Sequence, residues 1–271
     1  MGSNLKYVYP VFDGINLVVI RIGGSGLGNL LYPYFRALIY ANKYNLKLID
    51  PVFKSIKPSL LLKSKQHRRL YNYTITNSIK GLDRFLILLK KREGEFENSN
   101  AEIKCFKGFY NGFKPFYGYE VFLLSQLKSL VKHKEINLEK FQNNICCHIR
   151  LGDFKKHHGD RNIKNNTRLP IEWYISALEF LMKKNKGIKV YVFSDGNQNE
   201  LKNILDIPDV KFEISNDPIV DLLKMSQGKY FIGSYSSFSM WASFFSSGTT
   251  IWNKNIFNKR EFPQNSETIL Y

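Results

Sequence analysis

The sequence predicts an α/β protein made of two doubly wound domains that face a cleft, each built around a parallel β-sheet. Short apolar runs typical of buried strands alternate with stretches typical of helices, and this alternation occurs in two blocks. A less regular segment separates the blocks, and 271 residues suffice for two ordinary domains. We therefore expect Rossmann-like domains at residues 1–140 and 141–271.

The first block begins with a predicted strand that leads into a glycine-rich turn. INLVVIRI (Ile15–Ile22) is an apolar run bounded by turn residues, and GGSGLGN follows it directly at Gly23–Asn29. A helical pattern then fills 30–45, and LKLID (Leu46–Asp50) predicts the second strand. This order is typical of the opening unit of a doubly wound domain. Residues 55–140 mix basic clusters with aromatic residues, and we expect substrate-specific structure there.

The second block alternates more regularly. Strands are predicted at 144–150, 188–195, 210–214 and 230–234. Helices are predicted at 170–184, 199–205, 219–227 and 236–247, the first of which opens with Pro170 and Glu172, as helix starts prefer. Strands that alternate with helices along the chain imply a parallel sheet.

The chain is strongly basic, with a formal net charge of +17 and a pI of about 9.6. Such a charge indicates anionic partners, among them a phosphorylated ligand, a membrane surface or nucleic acid. The three cysteines lack metal-ligand spacing and fit a reducing compartment. No secretory signal is visible, and the uncharged stretch 230–253 is too rich in serine and glycine for a membrane helix. We expect a cytoplasmic protein whose basic surface allows peripheral contact with the anionic inner face of a membrane.

The glycine-rich turn does not match either familiar phosphate-binding motif. A dinucleotide fingerprint requires a third glycine where this chain has Asn29, and a P-loop requires lysine at that same position. Glycines still let the backbone approach a ligand closely, next to a helix N-terminus that favours anions. Gly26, Gly28 and Asn29 are therefore candidate substrate-binding residues, and an ordinary tight turn is the alternative.

Three further loops follow predicted strands in the second block. Open α/β sheets bind their ligands at the carboxyl ends of strands, which is where these loops begin. HIRLGDF places His148 and Arg150 on one face of a strand end, although Arg150 could instead pair with Asp153 to close a turn. FSDG offers Ser194 and Asp195 to a ribose or base, with capping of a helix near Asn199 as the alternative. GSYSSFSMW supplies a serine-rich helix start for phosphate, or ordinary N-caps, and its candidates are Ser236, Ser237, Phe238 and Ser239.

Taken in order, these four motifs resemble those of the fucosyltransferase superfamily. They are most similar to the bacterial α-1,2-fucosyltransferases of glycosyltransferase family 11. That family has a GGLGNQ-like loop, an H-x-R-R-G-D segment, a strand ending in FSDD, and D-L-x-x-M-S followed by N-S-S-F-S-W-W. This chain has GSGLGN, HIRLGD, FSDG, and DLLKMS followed by YSSFSMW. The likeness extends over nearly the whole chain and is weakest at residues 55–140.

The resemblance implies a GT-B-like fold and inverting transfer of fucose from GDP-fucose to a glycan hydroxyl, α-1,2 to galactose. It implies no metal and no cofactor besides the GDP-sugar substrate, with an oligosaccharide or lipid-linked glycan as acceptor. Residues 1–140 would form the acceptor side and residues 141–271 the nucleotide-sugar side. Arg150 would grip the donor diphosphate, His148 and Ser236–Ser239 would lie against the nucleotide, and Gly28 and Asn29 would line the acceptor-side loop.

Two departures from the family pattern leave other GDP-sugars open as donors in surface polysaccharide synthesis. Leu151 replaces the second arginine of the central motif, and Met240 replaces the first of two paired tryptophans. For the general base that activates the acceptor hydroxyl, Asp153, His157 and His158 follow the motif, and we name His158. A nicotinamide-dependent oxidoreductase is disfavoured by Asn29, and a nucleic-acid-binding module lacks any recognised motif, so no nucleic-acid partner is expected.

Overall fold

The computed structural model describes residues 4–17, 19–56, 73–131, 136–154, 167–213, 215, 217–264 and 267–271. The chain divides into two compact units, Met1–Lys132 and His133–Tyr271. Each unit has its own parallel sheet with helices packed on it, which confirms the predicted α/β class with two Rossmann-like units.

The strands of the first unit are β1 (Tyr7–Val11), β2 (Ile15–Asn16), β3 (Arg21–Ile22), β4 (Lys47–Ile49), β5 (Ser55–Ile56), β6 (Ser78–Ile79), β7 (Arg92–Gly94) and β8 (Ile103–Lys107). Its helices are α1 (Leu27–Tyr44), α2 (Gly81–Ile87) and α3 (Glu120–Ser129), with a 3-10 turn at Lys114–Phe116. The main sheet has the order β6-β4-β1-β8-β7, and every pairing in it is parallel. The strand order therefore reverses between β1 and β8.

Helix α1 covers one face of this sheet because most of its side chains are apolar and buried. It begins after Gly26 and ends at Asn45, whose φ of 50° gives the left-handed C-cap that asparagine tolerates. On the opposite face, Tyr9, Ile49, Ile103 and Cys105 form a buried cluster. Both sides of β1 are thus covered, as a central parallel strand requires.

The predicted first strand at Ile15–Ile22 is wrong, because the buried central strand is β1, which precedes it. The apolar run instead forms the short antiparallel pair β2–β3, with Ile15 and Val19 each about two-thirds exposed. Its apolar side chains suggested burial, but the pair belongs to a separate sheet of order β2-β3-β5 and leaves Ile15, Leu17 and Val19 exposed. The predicted strand Leu46–Asp50 is confirmed as β4.

The second unit contains the strands β9 (Ile145–Ile149), β10 (Val190–Ser194), β11 (Val210–Phe212), β12 (Tyr230–Ile232), β13 (Thr249–Trp252) and β14 (Thr268–Leu270). Its helices are α4 (Glu139–Gln142), α5 (Ile171–Lys184), α6 (Lys202–Leu205), α7 (Pro218–Met225) and α8 (Ser237–Phe244). All pairings in the order β11-β10-β9-β12-β13-β14 are parallel. Counted within the unit, this is the strand order 3-2-1-4-5-6 of dinucleotide-binding domains.

The core of this unit lies along β9 and β10, in which every residue is buried. Their largely apolar character, apart from His148 and Ser194, follows from helices on both faces of a parallel sheet. The four strands and four helices predicted for this block are all present. The sequence analysis missed β13 and β14, which extend the sheet beyond β12.

Candidate functional site

The second unit has its topological switch point between β9 and β12, where the strand order reverses. Chains leaving the two strands turn in opposite directions there, which opens a crevice at their carboxyl ends. Three of the four motif loops follow β9, β10 and β12, so they all lie at this edge of the sheet. The architecture thus brings together the candidates of the central, FSDG and serine-rich motifs.

A buried polar cluster occupies the switch point. Near the end of β9, the Nδ1 atom of His148 lies 2.6 Å from Ser239 Oγ and 3.0 Å from Ser234 Oγ. The two serine hydroxyls are 2.9 Å apart, and the backbone N–H of Ser234 donates to Ser239 Oγ at 3.1 Å. All three residues are almost fully buried. Buried hydroxyls with several partners hold the imidazole in one orientation.

Ser236 begins helix α8 as its N-cap. Its side-chain oxygen accepts a hydrogen bond from the backbone N–H of Ser239 at 3.2 Å, which is the capping alternative weighed for this motif. The same hydroxyl lies 3.2 Å from Ser234 Oγ, so the cap also belongs to the buried cluster. Ser237 and Phe238 are half-buried, and the Phe238 ring packs edge-on against His148 with centroids 5.4 Å apart. The sequence analysis missed Ser234, although its place directly after β12 was a usable signal.

Arg150 follows β9 and is held by two carboxylates. Its Nη1 atom lies 2.6 Å from Asp195 Oδ2, and its Nη2 atom donates to Asp153 Oδ1 at 2.5 Å. The guanidinium also lies over the Phe154 ring, 5.1 Å from its centroid. The pair with Asp153 considered from the sequence is therefore present, together with a partner from another strand. The Asp195 side chain is 11% exposed and the Asp153 side chain 69% exposed, so Asp195 is the firmer anchor.

Asp195 organises the loop after β9, and the helix near Asn199, α6, begins after Leu201 without a side-chain cap. The Oδ1 atom of Asp195 accepts hydrogen bonds from the backbone N–H groups of Leu151 at 2.8 Å and Gly152 at 3.2 Å. A Cβ atom at Gly152 would lie 2.2 Å from Asp195 Oδ2, so only glycine allows this approach. The carboxylate therefore fixes both the loop backbone and the arginine beside it.

Leu151 and Gly196 form a close apolar contact between the same two loops. Leu151 is 3% exposed, and a Cβ atom at position 196 would lie 2.4 Å from Leu151 Cδ1. The neighbouring Ser194 is buried, where its hydroxyl donates to the carbonyl of Ile149 at 2.7 Å and accepts from Gly196 N–H at 3.0 Å. Ser194 thus links the ends of β9 and β10, and its contact with a ligand stays a prediction.

The glycine-rich loop belongs to the first unit, where it connects β3 to α1. Gly26 precedes the helix, and Gly28 and Asn29 lie in its first turn. The close approach in this loop occurs at Gly24, where a Cβ atom would lie 2.0 Å from Arg21 Nη1 and 2.3 Å from the Asp13 carbonyl oxygen. The Ser25 hydroxyl donates to Asp13 Oδ2 at 2.5 Å. These contacts fix the loop from within, and ligand binding by Gly26, Gly28 and Asn29 stays a prediction.

The site in the second unit combines a cation with hydroxyl and N–H donors, a composition suited to an anionic ligand. His158, named as the general base, lies outside the described residues. Within the described ranges, no group of three or more His, Cys, Asp or Glu side chains could hold a metal ion. No helix in the same ranges is long and apolar enough to span a bilayer.

Comparison with known proteins identifies relatives along most of the chain. A family model described as glycosyl transferase family 11 matches residues 38–269. An alpha-1,2-colitosyltransferase from Escherichia coli is 25% identical over an alignment 262 positions long, and the match covers 84% of this chain and 87% of the relative.

Solved structures with a similar course of the chain include a fucosyltransferase and a protein crystallised with GDP-fucose. One is the fucosyltransferase NodZ from Bradyrhizobium, with 12% identity, a TM-score of 0.49, and coverage of 90% of this chain and 94% of that chain. Another is POFUT1 in complex with GDP-fucose, with 12% identity, a TM-score of 0.42, and coverage of 98% of both chains. The family model spans most of the sequence, so this chain is a glycosyltransferase and belongs to glycosyl transferase family 11.

Proposed function

We propose that this glycosyltransferase moves fucose from GDP-fucose to a glycan hydroxyl, with inversion and in α-1,2 linkage to galactose. The observation that carries the proposal is Arg150 beside a buried histidine–serine cluster at the switch point of a family 11 chain. A diphosphate needs cationic and N–H donors, and the switch point is where doubly wound sheets bind nucleotides. The acceptor is an oligosaccharide or a lipid-linked glycan.

In this proposal the second unit stabilises the leaving group. Breaking the sugar–phosphate bond concentrates negative charge on the diphosphate, and donors already fixed in place stabilise that charge most effectively. Arg150 is held in place by Asp195, while its bond to the exposed Asp153 costs little to break. The diphosphate would therefore replace Asp153 as the second partner of Arg150. The released carboxylate of Asp153 would then be available as a base for the acceptor hydroxyl, in competition with His158.

A second donor, GDP-colitose, is favoured by the relative named as an alpha-1,2-colitosyltransferase. Colitose has the structure of fucose without its 3-hydroxyl, so the two donors differ in one polar group. A site built to bond a hydroxyl discriminates strongly against the sugar that lacks it.

Thermal shift and donor turnover together test the proposed function. GDP should raise the melting temperature of the protein, whereas NAD and a single-stranded oligonucleotide should not. Release of GDP should then be measured with GDP-fucose, GDP-colitose and GDP-mannose, in chelator and with added manganese. We expect turnover with GDP-fucose in chelator. Stabilisation by NAD alone, or activity that returns only with manganese, would contradict the proposal.

A further inference from the structure

A cavity in the first unit lies apart from all four sequence motifs. It has a volume of about 530 Å³ and is bordered by β1, β7, β8 and the turn after β7. Tyr9 and Val11 of β1 and Cys105 of β8 contribute to its wall on one face of the sheet, because Tyr9 pairs with Cys105 and side chains alternate along strands. The strand order reverses between β1 and β8, so the cavity lies at the switch point of this sheet, a position where parallel sheets bind ligands.

Glu95 contributes a carboxylate that is already held in position. Arg36 of α1 donates through Nε to both carboxylate oxygens, at 3.0 and 3.1 Å. The same guanidinium is anchored by the carbonyl oxygens of Lys107 and Gly108, at 2.7 and 3.0 Å. Burial raises the pKa of Glu95, although the charge of Arg36 opposes this. A carboxylate with one guanidinium partner keeps lone pairs for hydroxyl donors of a ligand.

Phe96, next in the chain, presents an aromatic ring at the same cavity. It is 67% exposed, and its ring centroid lies 4.4 Å from that of Tyr110. A large apolar side chain left in water beside a cavity is more informative than an isolated exposed residue. An aromatic face next to fixed polar groups suits a ligand that has both a C–H face and hydroxyls, as a sugar ring does.

The carboxylates around the cavity already have partners within the protein. Glu93 and Glu95 pair with Lys104 and Arg36, and Glu97 accepts a hydrogen bond from the backbone N–H of Gly94. A phosphorylated ligand would have to compete with these carboxylates for the cations, whereas a neutral polyhydroxyl ligand needs no unpaired charge.

We propose that this cavity binds the terminal neutral sugar of the acceptor glycan, with the C–H face of the sugar on Phe96 and its hydroxyls on the Glu95 carboxylate. The inference rests on the proposed function, because it takes transfer to a glycan as given. The proposal places recognition of the acceptor sugar at the turn after β7, whereas the sequence resemblance implied the loop at Gly28 and Asn29.

Binding of simple glycosides to the full chain tests the proposal. Methyl glycosides of galactose, glucose and N-acetylglucosamine are titrated by ligand-observed NMR against wild type, Phe96→Ala and Glu95→Gln. Phe85→Ala is the matched control, because Phe85 is also half-exposed but lies on α2 and does not line the cavity. We expect wild type and the control to bind the methyl galactoside, and each cavity variant to bind it about tenfold more weakly, the equivalent of one hydrogen bond or stacking contact.

GDP binding separates failure of this proposal from failure of the proposed function. The melting-temperature increase with GDP should be the same in wild type and in Phe96→Ala, a surface variant expected to fold. Equal glycoside affinity in wild type and Phe96→Ala would overturn the assignment of the cavity. Absence of glycoside binding in a wild-type protein that does bind GDP would also overturn it. A wild-type protein that GDP does not stabilise would instead contradict the proposed function, and the glycoside titration would still decide the role of the cavity.

Discussion

Arg150 is the side chain on which the proposed chemistry depends most. Its two carboxylate partners hold the guanidinium at the end of β9, so its orientation is set before any ligand arrives. We expect Arg150→Ala to lower kcat by about 10²–10³-fold, the usual effect of removing one preorganised donor. Arg150→Lys should recover only part of the activity, because an ammonium group lacks the two-pronged geometry of guanidinium.

Turnover must be measured beside the melting temperature to interpret these variants. Arg150 is partly exposed, and its pair with Asp153 is a surface pair worth little to stability. The largely buried Asp195 keeps hydrogen bonds from the backbone N–H groups of Leu151 and Gly152 when the arginine is removed. The melting temperature of Arg150→Ala should therefore stay close to that of wild type. Near-normal turnover in a well-folded Arg150→Ala protein would remove this residue from the proposed mechanism.

The sequence could indicate Arg150 but not its main partner. Asp153 is three positions away, so local spacing suggested that pair, and the structure contains it. Asp195 reaches the arginine because β9 and β10 are neighbours in the sheet, with Phe193 opposite His148. A contact of that kind depends on strand order, which local spacing does not encode. The partners of Ser234 likewise come from β9 and α8, although its position shortly after β12 could have indicated the residue itself.

At the scale of elements, β7 and β8 are joined by a buried ion pair. Lys104 Nζ lies 2.7 Å from Glu93 Oε1, and both side chains are less than 5% exposed. Burial disfavours the charged carboxylate, but hydrogen bonds from Lys104 and Ser99 outweigh it and lower the pKa of Glu93. A lowered pKa means that the carboxylate stabilises the fold above the pKa of unfolded glutamate. That contribution is lost as pH falls through the folded pKa.

We expect Glu93→Gln to destabilise the protein at neutral pH by about 3–5 kcal/mol, because Lys104 would remain buried without its partner. The stability difference between wild type and variant should shrink as the pH is lowered and Glu93 of the wild type is protonated. Denaturant unfolding at several pH values measures this. The double variant Glu93→Gln/Lys104→Met should recover part of the loss, since no lone charge remains. A difference that stays constant from neutral to acidic pH would contradict the role given to Glu93.

Elements were predictable where apolar runs coincide with buried strands and helices. The strands β9 and β10 are buried throughout, so composition alone indicated them. The run at Ile15–Ile22 is equally apolar but lies in a short antiparallel pair with exposed side chains. Apolar content does not distinguish these cases, because burial is decided by what packs on the strand. Strand β1 was overlooked although its central residues are buried, since it contains Pro10, a residue that argues against a central strand.

At the scale of the whole molecule, the dominant property is charge. A net charge of +17 favours association with anionic surfaces, with about 1 kcal/mol for each basic residue near an anionic membrane. We expect the protein to sediment with vesicles containing anionic lipid and not with neutral vesicles. High salt should release it, because ions screen interactions of exposed charges. Equal sedimentation with both vesicle types would rule out peripheral contact driven by charge.

The contact between Leu151 and Gly196 has a consequence for the evolution of this family. The leucine occupies the space next to position 196, so a side chain added there alone would clash with Leu151. Relatives with H-x-R-R-G-D and FSDD motifs carry an arginine and an aspartate at the corresponding places. If position 196 changed first, the new side chain would clash with Leu151. If position 151 changed first, an arginine would be buried without its aspartate partner. We therefore expect these two positions to covary, so that lineages change both or neither.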